Sequence, residues 1–221
     1  TCNASLDAAM QVAPFLTADH VYADLNSVSP SLKQQIAEVI GATAARFVEV
    51  AVMAPVAPYG HKVPMLLGGA SASAFAEQLA PFGMRLEVLP AGEIGAAAAV
   101  KMCRSVIVKG LEALMFECVL GASRYGADGH VLKSLDESYP GLDWKKLADY
   151  MVNRVVVHGE RRAREMEEVA ETLKAIGVEP MMAEATARRQ DWAAELGRKS
   201  HFGANGPTTY REVLDVLYSH K

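Results

Sequence analysis

The chain has 221 residues, a formal net charge of −4 and 51% hydrophobic residues. This length allows one large domain or two small ones with a sizeable core. The negative charge argues against a nucleic-acid-binding surface. No uninterrupted apolar run reaches the roughly 20 residues that a membrane-spanning helix needs. The composition therefore predicts a globular protein that binds neither nucleic acid nor membrane.

The cysteines and histidines do not form a disulfide or metal-site pattern. Cys2, Cys103 and Cys118 are widely spaced and lack a CxxC motif, which favours free thiols in a reducing cytoplasm. The histidines are scattered, without HxH, HxxxH or HExxH spacing. They are His20, His61, His130, His158, His201 and His220. No metal site is predicted, and we expect a cytoplasmic protein.

The first 90 residues alternate short β-like runs with helical segments. We expect strands over 21–25, 47–54, 63–67 and 84–89, and helices over 5–16, 30–45 and 71–81. Ser29 is a good N-cap for the second helix, and Pro30 suits its first position. The alternation predicts βα units and an open sheet.

After Gly95 the sequence pattern becomes helical throughout. One long helix is expected over 95–124, with Gly110 and Gly121 marking a close crossing or a break. Thr208 or Thr209 could cap the last helix. Further helices are expected over 131–138, 143–153, 158–176, 182–196 and 208–220. The predicted fold is an α/β, partial Rossmann-like domain (1–92) followed by an all-α domain (93–221), joined by a long interdomain helix.

One basic cluster lies on a predicted helix. Its arginines alternate with glutamates, which predicts a solvated, salt-bridged helix face rather than a binding patch. The cluster comprises Arg161, Arg162 and Arg164 with Glu160, Glu165, Glu167 and Glu168. His158, near the start of the same predicted helix, is the one histidine singled out.

Two polar loops follow predicted strands. In an open α/β sheet, ligands bind beyond the carboxyl ends of strands. Asn26 and Ser27, in the segment DLNSVSP (24–30), could therefore hydrogen-bond a ligand or belong to an ordinary helix-capping turn. Tyr59, in the loop PVAPYG (55–60), could form a ligand wall or simply pack. The sequence alone leaves both alternatives open.

Lys101 lies near the start of the long helix, just after a run of alanines. It is either an ordinary surface lysine or a partly desolvated one with a lowered pKa, able to exchange protons near neutral pH. Arg104 and Ser105 follow at spacings of three and four residues, on the same helix face. Together they would suit a small anionic substrate, although Arg104 could equally be a surface residue.

Three segments, in this order, resemble the β-hydroxyacid dehydrogenase superfamily, which includes 3-hydroxyisobutyrate and 6-phosphogluconate dehydrogenases. Residues 24–30 are similar to the family motif DxSTxxP, and residues 47–69 to its DxPVSGG substrate segment. Residues 92–105 are similar to GxGxxxKxxxN, which carries the catalytic lysine. Residues 158–197 resemble the phosphogluconate-dehydrogenase-like C-terminal domain of unknown function found in one branch.

The resemblance implies an NAD- or NADP-dependent oxidoreductase that interconverts a small hydroxy acid and its oxo form. It implies that Lys101 is the general acid/base and that Ser105 binds substrate where the family uses asparagine. Retention of the lysine favours a hydroxyl or carbonyl substrate over an imine, because related imine reductases replace it.

The resemblance also assigns residues around the reacting groups. Asn26 and Ser27 would line the nicotinamide end of the cofactor. Pro58 and Tyr59 would shape the substrate pocket, and Arg104 is a candidate for binding the substrate carboxylate. In this family the helical domain usually buries the connecting helix in a homodimer.

Departures from the family motifs limit what can be transferred. Ala57, Pro58 and Tyr59 stand where the family has SGG, and Ala97 replaces the second glycine of the lysine motif, so the substrate is not transferable. No GxGxxG is present; we expect roughly 80 residues of the Rossmann domain, including the NAD/NADP selector, to precede this segment. The alternative is a non-catalytic relative that serves as a helical dimerisation module.

Overall fold

The computed structural model describes residues 2–90, 92–199, 202 and 206–219. Its strands are Val21–Asp24 (β1), Arg46–Val52 (β2), Met65–Gly68 (β3) and Leu86–Val88 (β4). Its α-helices are Cys2–Val12 (α1), Pro30–Gly41 (α2), Ala72–Leu79 (α3), Ala96–Ser123 (α4), Asp128–Ser138 (α5), Trp144–Ala175 (α6), Met181–Lys199 (α7) and Tyr210–Ser219 (α8). The predicted fold class, a partial Rossmann-like α/β part followed by an all-α part and a long helix between them, is confirmed.

The chain forms two compact units, Thr1–Arg104 and Ser105–Lys221, and the division falls within α4. The sequence-based boundary lies earlier, at 92/93, where the strand pattern stops. Because α4 is continuous from Ala96 to Ser123, its first turns belong to the first unit and its remainder to the second.

The sheet of the first unit has the order β1-β2-β3-β4 and is mixed. The pairs β1–β2 and β3–β4 are parallel, and each is connected through a helix, α2 or α3. Strands β2 and β3 are antiparallel, and their connection contains only the 3₁₀ turn Gly60–Lys62. This fits the general rule that parallel neighbours need a helical crossover, whereas antiparallel neighbours can be joined by a loop.

The two faces of β2 pack against different elements. Val48 and Val50 are buried in one core cluster with β3 and α3. Alternate side chains point to the opposite face, where Ala51 packs with Leu66 and with Ala97 at the start of α4. The alanine-rich first turn of α4 therefore allows the helix to approach the sheet closely.

The second unit is a helical bundle whose core includes buried residues of α4, α6 and α8. The sequence-based prediction of separate helices over 143–153 and 158–176 is wrong, because α6 is one helix of 32 residues. Val155 and Val156 continue the buried stripe of Val152 across the predicted gap. At Gly159 a Cβ atom would lie 2.4 Å from the carbonyl oxygen of Gln190, so glycine permits the close approach of α7.

Smaller differences concern helix ends and glycines. Helix α4 passes through Gly110 and Gly121 without a break. Thr209 caps α8, since its hydroxyl accepts a hydrogen bond from the Glu212 amide at 3.4 Å and donates one to the Glu212 carboxylate. The predicted end of this helix at His220 lies outside the described residues, as does His201.

Among the described residues, no helix is long and apolar enough to cross a membrane.

Candidate functional site

Three residues form a row across the sheet of the first unit. Asp24 at the end of β1 is paired in register with Glu49 of β2, and Glu49 is paired with Gly68 at the end of β3. Residues directly opposite one another on neighbouring strands project to the same face of a sheet. The row therefore places two carboxylates side by side, and both are buried.

Asp24 is neutralised from α2. The Lys33 ammonium donates to the Asp24 carboxylate at 2.8 Å and to its backbone carbonyl at 2.8 Å. Asn26 adds two further donors to the same carboxylate, its backbone amide at 3.1 Å and its side-chain amide at 2.5 Å. Because a buried charge is costly unless it is paired and hydrogen-bonded, these contacts hold the loop after β1 against α2.

Glu49 receives its hydrogen bonds from the start of α4. One carboxylate oxygen accepts from the Gly95 amide at 2.7 Å, and the other accepts from the Ala98 amide at 2.7 Å. The first amides of a helix have no partner within the helix and carry its positive dipole end. Glu49 therefore caps α4 from the sheet.

The turn before α4 is packed tightly against its neighbours. Gly95 has φ +102°, and a Cβ atom there would lie 3.1 Å from Cβ of Pro30 at the start of α2. The side-chain amide of Gln34 donates to the Ile94 carbonyl at 3.2 Å. Gly69 donates from its amide to the Gly92 carbonyl at 2.8 Å. These contacts fix the position of the turn from which α4 begins.

Lys101 lies in the second turn of α4 and is half-buried. Arg104 is exposed, and Ser105, one turn after Lys101, is half-buried. Lys101 and Arg104 belong to the first compact unit and Ser105 to the second. The structure thus places all three predicted residues on one continuous helix, with the spacing that the sequence indicated.

The remaining predicted site residues lie in two loops of the first unit. Asn26 and Ser27 follow β1 and are exposed; Pro58 and Tyr59 follow β2, and Tyr59 is 46% exposed. Since β1 and β2 are parallel, both loops leave from the same edge of the sheet.

A partly buried ionic network in the second unit was not predicted. The Lys109 ammonium lies 2.8 Å from the Glu165 carboxylate and donates to the Ser105 hydroxyl at 3.3 Å. Burial lowers the pKa of Lys109 below its ordinary value, although the Glu165 charge opposes this. Burial alone would raise the pKa of Glu165, but the hydrogen bond and charge of Lys109 lower it overall.

The interface between α4 and α6, called the α4–α6 seam below, also contains a pair whose two members are both buried. Glu112 is paired with Arg162 and also receives a hydrogen bond from Arg154 at 3.2 Å. Arg162 is 4% exposed, so the expectation that it belongs to a solvated face is wrong. Arg161 and Arg164 do form exposed pairs with Glu165 and Glu167.

Helical spacing could have revealed this network. Arg162 falls in step with Val155, Gly159 and Met166 on the buried stripe of α6. A charged residue at an apolar position of a helix calls for a partner on the facing helix. His158, the histidine singled out from the sequence, instead lies exposed in the middle of α6.

Metal-ligand groups do not cluster in the part of the chain that the structure describes. No three histidine, cysteine, aspartate or glutamate side chains come together there in a way that could hold a metal ion. The polar groups of the candidate site are instead a lysine, hydroxyls and amides, which suit proton transfer and hydrogen bonding.

The chain consists of a sheet with parallel βα connections followed by a helical bundle, and the lysine-bearing helix α4 runs from the first unit into the second. It therefore belongs to the class of proteins that combine an α/β part with an all-α part. Residues 122–193 match the family model "Domain of unknown function (DUF1932)". The structure superposes on a conserved hypothetical protein from Sinorhizobium meliloti 1021 with TM-score 0.83 and 39% identity, covering 99% of this chain and 72% of that one.

Two further solved structures are similar. One is a conserved protein of unknown function described as structurally similar to 3-hydroxyacid dehydrogenases (TM-score 0.75, 29% identity, 89% of this chain and 73% of that chain). The other is 3-hydroxyisobutyrate dehydrogenase of Mycobacterium tuberculosis with L-serine (TM-score 0.62, 13% identity, 96% and 76%), a likeness of fold alone. The chain belongs to the 3-hydroxyacid dehydrogenase-like family with a DUF1932 C-terminal domain.

Proposed function

We propose that the protein is an NAD- or NADP-dependent oxidoreductase that interconverts a small hydroxy acid and its oxo form. The observation that carries the proposal is the position of Lys101. This lysine is half-buried in the second turn of α4, and α4 begins where Glu49 anchors it to the sheet. The likeness to proteins related to 3-hydroxyacid dehydrogenases supports the reaction class.

The residues of this chain fit the nicotinamide end of such a cofactor. Asn26 and Ser27 offer polar groups just beyond the carboxyl end of β1, where open α/β sheets bind their ligands. The 221 residues contain no GxGxxG loop, so no segment of this chain is assigned to the pyrophosphate. When bound, the nicotinamide supplies the hydride chemistry.

In this proposal, Lys101 moves the proton. As a neutral amine it takes the proton of the substrate hydroxyl, and as an ammonium it returns a proton to the carbonyl oxygen in the reverse direction. Ser105 hydrogen-bonds the substrate, and Arg104 binds its carboxylate. Pro58 and Tyr59 shape the pocket that selects the substrate side chain. A carboxylate-bearing substrate suits the cationic groups of this helix.

Replacement of the lysine tests its role. We expect Lys101→Ala to lower kcat by at least about 100-fold, because general acid–base catalysis contributes 10²–10⁴-fold. Turnover would be measured with a panel of small hydroxy acids, in both NAD and NADP. Lys133→Ala is the matched control, since Lys133 is an exposed lysine on α5. Turnover of Lys101→Ala within a few-fold of the unmodified protein would remove Lys101 from the mechanism.

Cofactor binding separates this proposal from the alternative of a non-catalytic dimerisation module. Titration of the chain with NADH and NADPH, followed by the fluorescence of the reduced nicotinamide, should show saturable binding of one or both. Failure to bind either would limit the enzymatic proposal to a longer protein.

A further inference from the structure

We infer that Glu49 is a positioning residue for Lys101: its buried carboxylate fixes the start of α4 and thereby the point from which Lys101 reaches the substrate. The inference rests on the proposed function, because it concerns the same lysine. All the residues that carry it belong to the first compact unit.

The contacts of Glu49 are bidentate. Its two oxygens accept from amides three residues apart, those of Gly95 and Ala98, both at 2.7 Å. A single contact would leave the helix able to rotate about it, whereas two contacts fix both the height and the rotation of its first turn. Hydrogen bonds to a charged acceptor are also stronger than neutral ones, and the carboxylate is fully buried.

The carboxylate itself has little room to move. Glu49 lies in β2, which is flanked by β1 and β3. A Cβ atom at position 68 would lie 2.8 Å from its Oε2 atom, so the side chain passes directly over Gly68. Gly95, packed against Pro30, holds the other side of the same turn. The start of α4 is therefore clamped between the sheet and α2.

The consequence for Lys101 follows from its place on the helix. Lys101 is three residues after Ala98, within one turn of the amide that Glu49 binds. A shift of this turn would move the ammonium by a similar distance. Misplacement of a reacting group by about 1 Å can cost about 100-fold in rate.

Turnover by Glu49→Gln and Glu49→Ala tests the inference. Glutamine keeps one carbonyl oxygen, but its NH₂ group would face a second amide donor. We expect kcat per folded protein to fall by about 10- to 100-fold while KM changes by less than about 3-fold, because positioning acts on the transition state. The matched control is Asp143→Ala, which removes the N-cap of α6 at Lys146 without touching α4. Its kcat should stay within about twofold of the unmodified protein.

A second measurement does not depend on activity. In the full chain, the acetylation rate of Lys101 relative to that of Lys133 would be followed by mass spectrometry. Glu49→Gln should raise this ratio by about threefold or more, because a loosened helix start exposes the half-buried Lys101 side chain. An unchanged ratio, or an unchanged kcat, would overturn the inference. Absence of turnover in an unmodified protein that binds NADH or NADPH would overturn the proposed function instead, and the labelling ratio would still decide whether Glu49 positions Lys101.

Discussion

Tyr210 attaches the start of the last helix, α8, to two other helices of the second unit. Its side chain is buried, and its hydroxyl donates to the Asp128 carboxylate at 2.6 Å. Its backbone amide donates to Asp149 at 2.9 Å, and Arg211 lies 2.9 Å from the same Asp128. One side chain thus ties the start of α8 to α5, while its backbone is tied to α6.

The stability of the protein should therefore fall in strong alkali. Burial and the hydrogen bond to Asp128 raise the pKa of Tyr210 from 10.0 to about 12. The folded state keeps the proton that the unfolded state releases, so this contribution is complete below pH 10 and is lost as pH rises toward 12. Urea unfolding between pH 8 and 12 would measure the decline.

Tyr210→Phe provides the comparison. It should lower the free energy of unfolding at pH 8 by about 1.5–3 kcal/mol, as expected for a hydrogen bond to a charged group. The phenylalanine variant should also lack the part of the decline between pH 10 and 12 that Tyr210 causes. An equal decline in both proteins would contradict the assignment to Tyr210.

At the scale of single residues, sequence patterns singled out some candidate-site residues and passed over others. Asn26, Lys101 and Ser105 could be singled out because they stand in loops or on helices next to recognisable motifs. Glu49 lies in the segment similar to DxPVSGG but was given no role, because a charged residue in a strand is typical of a solvated face. Its burial depends on Gly68 and on the start of α4, which are brought to it only by the fold.

Among the elements, α4 and α6 are joined by charged groups as well as by apolar ones. Glu112 on α4 is paired with Arg162 on α6, and both are buried. Such a pair offsets its own desolvation only when both partners are present. The pairing favours one register of the two helices.

Single and double replacements along this seam should behave differently. Arg162→Met leaves Glu112 without its main partner, so we expect a loss of about 3–5 kcal/mol in the free energy of unfolding. The double variant Arg162→Met/Glu112→Leu should recover most of this loss, because both charges leave together. Chemical denaturation measures all three proteins.

Arg161→Ala is the matched control, since Arg161 is the exposed neighbour on the same helix. Its effect should stay within about 0.5 kcal/mol, as for most surface pairs. A double variant as unstable as Arg162→Met alone would show that packing, rather than the unpaired charge, dominates the seam.

The order and type of the elements were largely predictable, whereas their exact extents were not. The helical spacing of apolar residues predicted α4 despite Gly110 and Gly121, because twenty-eight residues of helical pattern outweigh two glycines. The predicted gap in α6 covers residues 154–157, three of which are β-branched valines with a low helix propensity. Burial of Val155 and Val156 against the bundle overrides that low propensity.

For the molecule as a whole, we propose a homodimer formed through the second unit. Helix α4 carries an exposed apolar row at spacings of four and three residues: Ile107 (64% exposed), Leu111 (42%) and Leu114 (55%). Residues at these spacings share one helix face. A second copy of the chain, presenting the same row about a two-fold axis, would cover it.

Charged replacements in this row test the dimer. The unmodified protein should sediment as a dimer at micromolar concentration, and Ile107→Glu/Leu114→Glu as a monomer, because buried unpaired carboxylates are strongly disfavoured. The matched control is Leu142→Glu, an exposed leucine of the same unit outside the row. A monomeric unmodified protein, or a dimeric row variant, would refute the proposal.

Because Glu49 and Gly68 are in contact, the effect of a substitution at one position is expected to depend on the residue at the other. A side chain at 68 is excluded because the carboxylate of residue 49 already occupies its place. The two substitutions are therefore epistatic: alanine at 68 is damaging beside glutamate and tolerable once residue 49 is small. A side chain at position 68 is therefore expected only in related proteins whose residue 49 is small, whereas glycine at 68 is compatible with either residue.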